Sequence, residues 1–587
     1  MTATELPAQT PVGESVRVGP RRDRSRRLVA AARLAILGAW VRLGAEVDGR
    51  RVPGTLIVAC VAAACGVAGS VVSVETGTVN AYGDALSHLT IARRIFDSMA
   101  PGFEQMGTVW LPVPHLLLMP FVASIWMWHT GIGGCALGTL CLASSAASLY
   151  RIMARVGMSR TGRLLGLGVF LLNPTNIYMF TTALTEPVLI ASLLGATAGI
   201  AGWALSPRRL SSGELAVFGG IPAAAAVMSR YEGWALIVTG TLVVAIVVFR
   251  RESTWRARLS WRSFGPILSF VLPSLVAVAW WLAYNWALYH DPFEFLFGQY
   301  SASAQATVVA QEGLLPTKGN LGLSFYTFSW SMLEFTGVVP LVIAGGGAVI
   351  AILLRRTTTQ GLLIWLLATP GLFILAGLYL GQNVINNDHS IPTGWWNNRF
   401  AAPSGPFIAA LCACVVGFWH RRRWLTRGIA AILLLAAMGQ YAWFAEDLSG
   451  RSAVVAEAAL SLREGEDARG AAEWLHSHYD HGSLLIDESA SDNAVLPLIG
   501  IAMSQVYDRA SGNANFDAAL ADPVGHVQWV FMHLTAPKDP KHLVVGPDDF
   551  VSAALLDSSA FNTNYQLVYT SGNIGVYHLF NSGAVSP

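Results

Sequence analysis

Long apolar segments alternate with short polar ones over most of the chain. A helix needs roughly 20 mostly apolar residues to cross a bilayer, and eleven segments near that length precede residue 446. They are 54–74, 131–150, 164–180, 187–205, 214–229, 233–249, 266–288, 335–354, 361–380, 401–419 and 427–445. This pattern predicts a polytopic α-helical membrane protein with about eleven spans.

Arginine clusters indicate the orientation of these segments, because positive charge is enriched in cytoplasmic loops. The Arg-rich residues 1–52 precede the first span, and further clusters follow at 151–163, 208–209, 250–262, 355–356 and 421–427. We therefore expect a cytoplasmic N-terminus in the cell membrane and a transmembrane domain over 53–445. Loops 75–130 and 289–334 then lie outside, as does everything after residue 445.

One further apolar segment, 111–129, disturbs this alternation. An odd number of crossings is needed between the first outer loop and the arginines at 151–163. Segment 111–129 is interrupted by Pro112, Pro114 and Pro120, and proline inside a helix removes a backbone hydrogen bond. We therefore predict that 131–150 is the span and that 111–129 is an outer-leaflet or re-entrant helix.

Residues 446–587 have a different composition from the rest of the chain. They contain 18 Asp and Glu against six Lys and Arg, net −12, whereas the remainder has 32 basic and 18 acidic residues, net +14. Helical periodicity at 466–481 and 548–560, strand-like runs at 483–488 and 526–533, and a hairpin at 565–570 and 575–580 predict an α/β domain. We expect an extracytoplasmic lid or docking domain.

Overall composition excludes several classes of protein. The chain is 53% hydrophobic and only 13% charged, with a mean hydropathy of +0.48, which contradicts a water-facing surface. Its basic residues are spread over short loops between helices. No basic soluble face is formed, so nucleic-acid binding is disfavoured.

Residues that carry chemistry are concentrated on the predicted outer side. After Gly83, an amphipathic helix places Asp84 and His88 on one face, since residues four apart in a helix are neighbours. Its apolar stripe, formed by Ala85, Leu89, Ala92 and Phe96, is predicted to lie on the membrane surface. Asp84 can cap the helix, act as a catalytic base, or do both.

Two arginines occur beside apolar segments on the same side. Arg230 is followed by Tyr231 and Glu232, and Arg399 follows two asparagines at the start of the segment 401–419. Charged residues at membrane edges are costly unless solvated, paired or functional. Arg230 either forms a local ion pair with Glu232 or holds a phosphate, for which a guanidinium fork is well suited.

Taken together, these features resemble the GT-C superfamily of polyprenyl-phosphate-sugar-dependent glycosyltransferases, in the branch related to protein O-mannosyltransferases and the aminoarabinose transferase of lipid A. The resemblance rests on an outer Asp after the first span with a surface helix behind it, a Pro-rich return, a long outer loop and a C-terminal outer domain. The residues and ranges concerned are Gly83-Asp84, Leu111-Pro112-Val113-Pro114-His115, Glu186-Pro187, Arg230-Tyr231-Glu232, 289–334 and 446–587. Ala85 stands where the protein mannosyltransferases often have a second acidic residue, so acceptor identity does not carry over.

This resemblance implies a glycosyltransferase, mannosyltransferase-like, that moves a sugar from a polyprenyl-phosphate donor to an acceptor hydroxyl with inversion. The acceptor is a glycan, lipid or protein of the cell envelope. Asp84 is the implied general base. The implied phosphate ligands are Arg230, Arg399, Lys318 and Arg93, and the implied sugar or acceptor contacts are His88, His115, Glu186, Tyr231 and Glu232.

Three questions stay open from the sequence. A metal is not demanded by the resemblance, although Asp84, Glu186 and His88 are residue types that bind divalent cations. One alternative function is a transporter or flippase of lipid-linked precursors, which the lack of a visible inverted repeat disfavours. The other is a noncatalytic assembly protein of the cell envelope.

Overall fold

The computed structural model describes most of the chain from residue 51 to residue 580. The described residues are 38, 41–43, 47, 51–206, 210–258, 260–298, 301–355, 358–419, 422–490, 494–535 and 549–580. Most of the predicted cytoplasmic segment 1–52, and the arginines Arg208, Arg209, Arg356 and Arg421, lie outside them.

Helices form nearly all of the membrane domain. In chain order, the main ones are Thr55–Glu75, Gly83–Arg94, Pro112–Val122, Ile125–His129, Ile132–Arg155, Arg160–Leu171, Pro174–Met179, Glu186–Leu205, Ser212–Val227, Glu232–Arg251, Trp261–Tyr289, Ala302–Gln311, Leu321–Thr336, Val338–Arg355, Thr359–Trp365, Thr369–Leu380, Gly405–Gly417 and Arg423–Glu446. The turn Asn398–Ser404 is a 3₁₀ helix that leads into Gly405–Gly417.

Within the described residues, seven helices are long and apolar enough to cross a membrane, and the number is nine if each of two bent helix pairs is one span. The chain is thus a multi-pass membrane protein. The predicted segments 164–180 and 214–229 form shorter helices, Arg160–Leu171 and Ser212–Val227. The total of about eleven crossings stays a prediction.

Segment 164–180 is divided at Asn173-Pro174. The side-chain oxygen of Asn173 accepts hydrogen bonds from the backbone N–H groups of Thr175 and Asn176, at 3.0 and 3.3 Å. Pro174 is the first residue of the next helix, where its missing N–H costs nothing. An N-cap and a proline together therefore end one helix and start another inside a single apolar run.

The surface helix Gly83–Arg94 forms as predicted, but its environment differs from the prediction. Ala85, Leu89 and Ala92 are completely buried in one core cluster with Leu118 and Val122 of the proline-rich helix, and only Phe96 of the predicted stripe is exposed. The prediction that this stripe lies on the membrane surface is wrong, because other protein segments cover it.

The described residues of the C-terminal domain include a five-stranded mixed sheet. Its strands are β1 (Leu484–Ile486), β2 (Val506–Tyr507), β3 (Trp529–His533), β4 (Tyr565–Ser571) and β5 (Ile574–Leu579), in the spatial order β2-β1-β3-β5-β4. Strand β1 runs parallel to β2 and β3, whereas β5 is antiparallel to both β3 and β4. The predicted hairpin is thus the β4–β5 pair.

Helices pack around this sheet and link it to the last span. They are Ala453–Glu464, Glu466–His478, Asn513–Ala521, Phe550–Leu555 and Ser559–Asn564. The predicted helix 548–560 is two short helices, the second of which is capped by Ser558, whose side chain accepts from the N–H of Phe561.

This domain docks directly on the segment 75–130, which was predicted to be the first outer loop. The Arg469 guanidinium donates to the carbonyl oxygens of Asn80 and Ala81 at 2.8 and 3.0 Å, and the side-chain amide of Gln105 donates to the carbonyl of Ala510 at 2.8 Å. These partly buried hydrogen bonds fix the domain next to the helix that carries Asp84.

Candidate active site

Asp84 lies in the first turn of the surface helix, where a carboxylate also suits the helix dipole. The N-cap position is occupied by Tyr82, and the Asp84 carboxylate is paired with the Arg399 guanidinium. The Asp84 side chain is 38% exposed, against 10% for that of Arg399. A partly exposed carboxylate held by a buried cation can meet an incoming ligand.

Glu186 connects Arg399 to a second arginine. Its Oε1 lies 3.2 Å from the Nε of Arg399 and 2.9 Å from an Nη of Arg230. Arg230 also donates from Nε to Glu232 at 3.0 Å and from Nη1 to the hydroxyl of Thr185 at 3.0 Å. The four residue types Asp, Arg, Glu and Arg therefore form one continuous chain, which we call the ionic chain: Asp84, Arg399, Glu186 and Arg230.

Because the charged groups of the ionic chain are mostly buried, each of them needs a close partner of opposite charge. Glu186 is fully buried, and Glu232 and Arg399 are 3% and 8% exposed. Taking ions out of water costs several kcal/mol each, so such groups persist only when they are well paired. Glu232 forms the local ion pair with Arg230 that was one of the two alternatives for that arginine, and its role as a sugar or acceptor contact stays a prediction.

Both guanidinium groups retain donors. Arg399 contacts carboxylates through Nε and Nη2, and Arg230 contacts its partners through Nε and Nη1. Across the described part of the chain, neither the Nη1 of Arg399 nor the Nη2 of Arg230 has a polar partner. One N–H fork position on each arginine thus remains for another anion.

Aromatic rings support the same arginines. The guanidinium carbon of Arg399 lies 5.3 Å from the centroid of the Tyr82 ring, and that of Arg230 lies 5.1 Å from the centroid of the Phe400 ring. Cation–π contacts of this type gain strength when water is excluded. They hold both guanidinium planes without occupying their donors.

The backbone that carries Arg399 is held on both sides. Asn397 has a positive φ of 58°, which asparagine adopts more readily than most residues. The Asn398 side chain donates to the carbonyl of Asn386 at 2.6 Å and accepts from the Ser331 hydroxyl at 2.9 Å. The local sequence Asn397-Asn398 thus creates and fixes the turn that aims Arg399.

A carboxylate that the sequence analysis missed also contacts this turn. Glu457, in the helix Ala453–Glu464 of the C-terminal domain, accepts a hydrogen bond from the Asn398 N–H at 3.0 Å and is 8% exposed. Burial raises the pKa of Glu457, and the nearby Arg399 opposes that rise. A lone glutamate in the apolar run AVVAEAAL was the signal available in the sequence.

His88 and His115 form a buried pair beneath the surface helix. Their ring nitrogens Nδ1 and Nε2 are 3.0 Å apart, and the His88 ring meets Trp110 edge-on at 4.6 Å. Burial, with Arg399 and Arg230 nearby, lowers the pKa of His88 to about 3. His88 is therefore neutral at physiological pH and can act only as a neutral hydrogen-bonding group.

This lowered pKa predicts a pH-dependent stability. Below pH 6.5 the unfolded chain protonates His88 while the folded chain does so only near pH 3, so stability is lost as the pH falls through this window. The loss between pH 7 and pH 5 is about 2 kcal/mol. The melting temperature of His88→Gln in detergent should fall less over that interval than that of the wild type, whereas the partly exposed control His526→Gln should match the wild type. Parallel pH profiles for all three proteins would contradict a neutral buried His88.

Besides His88, His115 and Glu232, three further predicted site residues lie outside the ionic chain: Arg93, Lys318 and Tyr231. Arg93 is buried, pairs with Asp97 at 2.6 Å and donates to the Val122 carbonyl at 2.7 Å. Lys318 is exposed and packs against Gly381. Tyr231 donates to the Val109 carbonyl at 3.0 Å, which ties the proline-rich return to the outer turn that carries Arg230. Their predicted roles in phosphate and sugar binding stay predictions.

Metal ligation was open for Asp84, Glu186 and His88. Among the described residues, no three His, Cys, Asp or Glu side chains are placed to share a metal ion. The carboxylates of Asp84 and Glu186 are directed to guanidinium groups instead.

Comparison with known proteins relates this architecture to solved structures. The chain is similar to ArnT from Cupriavidus metallidurans, crystallised with undecaprenyl phosphate, at 12% sequence identity and a TM-score of 0.52, covering 89% of this chain and 98% of that one. The chain has the GT-C fold. The oligosaccharyltransferase of Archaeoglobus fulgidus is a further neighbour, at 11% identity and a TM-score of 0.40, covering 82% and 69%.

The GT-C fold agrees with the resemblance expected from the sequence. No family model matches the chain, and no curated protein sequence matches it. The fold similarity is therefore carried by the arrangement of helices and the C-terminal domain, at an identity too low to transfer residue roles.

Proposed function

We propose that the protein is a membrane glycosyltransferase that moves a sugar from a polyprenyl-phosphate donor to an acceptor hydroxyl on the outer face of the membrane. The single observation that carries the proposal is the ionic chain, in which a partly exposed carboxylate meets two buried arginines. Its setting in a GT-C fold supports the proposal, since ArnT was crystallised with undecaprenyl phosphate.

Asp84 is the proposed general base. It takes the proton from the acceptor hydroxyl while that oxygen forms a bond to the anomeric carbon of the sugar. The bond between this carbon and the phosphate oxygen breaks, and the polyprenyl phosphate leaves with the electron pair. One displacement at carbon inverts the anomeric configuration.

Arg399 and Arg230 are the proposed ligands of the donor phosphate. Their remaining donors, Nη1 of Arg399 and Nη2 of Arg230, have no protein acceptor among the described residues and are the groups that bind its oxygens. Negative charge on the leaving phosphate grows during the displacement, and fixed cations in a water-poor site stabilise such charge strongly. Lys318 and Arg93 are further cations of the proposal.

Glu186 has a different proposed role from the one suggested by its residue type. Because it is fully buried between two guanidinium groups, we infer that it sets their spacing and is not a direct contact of the sugar. In this proposal the sugar or acceptor site is completed by His88, His115, Tyr231 and Glu232. The acceptor is a glycan, lipid or protein, and the proposed chemistry requires no metal ion.

A direct test uses the purified full chain in lipid nanodiscs. Binding of undecaprenyl phosphate is measured by native mass spectrometry, followed by release of polyprenyl phosphate from a panel of polyprenyl-phosphate mannose, glucose and aminoarabinose, with and without EDTA. We expect binding in the micromolar range or tighter, and release from at least one donor that EDTA does not abolish. A protein that neither binds the lipid nor releases polyprenyl phosphate from any of these donors would contradict the proposal. Transport of an intact donor without release would favour the flippase alternative.

A further inference from the structure

The C-terminal domain places a buried carboxylate against the turn that carries Arg399. The distance from Glu457 Oε2 to the Asn398 backbone nitrogen is 3.0 Å, and Asn398 begins the 3₁₀ turn that contains Arg399. Glu457 therefore caps this turn from a helix that is separated from it by the whole of the last span. Helix capping by itself does not require a side chain from another domain.

The same helix also holds the aromatic support of Arg399. The Tyr82 hydroxyl donates to the carbonyl oxygen of Val454 at 2.5 Å, and the Tyr82 ring lies under the Arg399 guanidinium at 5.3 Å. Ser452, just before the helix, contacts the hydroxyl of Thr175 at 3.0 Å. The start of the helix is thus fixed to two segments of the membrane domain.

The Glu457 carboxylate lies near enough to Arg399 for the two charges to interact, but a further negative charge is not its distinctive contribution to the site. The ionic chain already contains the carboxylates of Asp84 and Glu186 beside Arg399 and Arg230, so another anion offers nothing to a phosphate. What Glu457 supplies is an acceptor for a backbone N–H at a sharp turn. An unmet buried N–H is expensive, and the turn would shift to satisfy it.

We propose that Glu457 is a positioning residue, by which the C-terminal domain fixes the Arg399 turn in the geometry that binds the donor phosphate. This inference rests on the proposed function, in which Arg399 is a phosphate ligand. It gives the C-terminal domain a part in assembling the active site in addition to its docking contacts.

The test separates the geometry of Glu457 from its charge. Glu457→Gln keeps the side-chain length and an acceptor oxygen but removes the charge, whereas Glu457→Asp keeps the charge and withdraws the acceptor by one methylene. The matched control is Glu464→Gln, an exposed carboxylate at the end of the same helix. Binding of undecaprenyl phosphate to the full chain in nanodiscs is measured together with the melting temperature of each variant.

We expect Glu457→Asp to weaken binding by about 10- to 100-fold, the effect of losing one hydrogen bond to a charged group. Glu457→Gln should rescue binding to within about threefold of the wild type, and Glu464→Gln should match it. The melting temperature of Glu457→Gln should stay near that of the wild type, whereas that of Glu457→Asp should fall modestly because the Asn398 N–H loses its acceptor.

Two results would overturn the inference. In one, Glu457→Asp binds as tightly as the wild type. In the other, Glu457→Gln binds as weakly as Arg399→Ala, which would assign the effect to charge. Failure of the proposed function is distinguishable, because the wild type would then not bind the lipid and Arg399→Ala would change nothing.

Discussion

Replacing Asp84 with asparagine is expected to lower the rate of sugar transfer by about 10²- to 10⁴-fold, the usual contribution of a general base. The amide cannot take the acceptor proton, but its oxygen still accepts from Arg399, so the ionic chain is preserved. Binding of undecaprenyl phosphate should not weaken. Release of polyprenyl phosphate at saturating donor measures the first effect, and native mass spectrometry measures the second.

The matched control for Asp84→Asn is Glu104→Gln, which neutralises an exposed carboxylate in the same outer loop. Its transfer rate should equal that of the wild type. An Asp84→Asn enzyme that keeps half of the wild-type rate would show that another group removes the proton. A rate loss accompanied by an equal loss of lipid binding would instead make Asp84 a part of the phosphate site, acting through Arg399.

More of the architecture than of the candidate site could be predicted from the sequence. Long apolar runs and arginine clusters are local signals, so the membrane domain and the acidic C-terminal domain were predictable, and so were β1, β3 and the β4–β5 hairpin. Strand β2 was missed because Val506–Tyr507 has only two residues. Segment 164–180 is divided because Asn173 caps a second helix within it. The helix Ser212–Val227 is shorter than a full crossing.

Pairings within the site could not be read from the sequence, because they join distant positions. Asp84 and Arg399 are 315 residues apart in the chain, and no local pattern links an aspartate after the first span to an arginine before a late one. The burial of Ala85, Leu89 and Ala92 likewise depends on segments that fold over the surface helix. Glu186 was predicted as a sugar contact, a role its residue type suits, whereas its full burial between two guanidinium groups favours a role in spacing the arginines.

The guanidinium of Arg399 has a geometric role that a lysine cannot fill. It reaches Asp84 and Glu186 through two different nitrogens and leaves a third for the proposed phosphate, whereas a single ammonium is a compact point charge without this fork. Arg399→Lys should therefore weaken binding of undecaprenyl phosphate by about 10- to 100-fold, since charge-assisted hydrogen bonds contribute about 1.5–3 kcal/mol each. Transfer at saturating donor should fall as well.

Loss of folding must be separated from loss of the phosphate contact, because Arg399→Lys also removes a partner of the buried Glu186, and breaking a buried pair costs about 3–5 kcal/mol. Glu186 then keeps only Arg230 as a close ion-pair partner. The double variant Arg399→Lys with Glu186→Gln removes this less well compensated buried charge, so its melting temperature should recover toward the wild type while its lipid binding stays weak. Arg427→Lys, an exposed arginine in the last span, is the control that should change neither quantity. If the double variant regains lipid binding together with its melting temperature, Arg399 stabilises the fold and the phosphate is held elsewhere. Binding that stays low in a stable double variant would show that the guanidinium fork itself holds the anion.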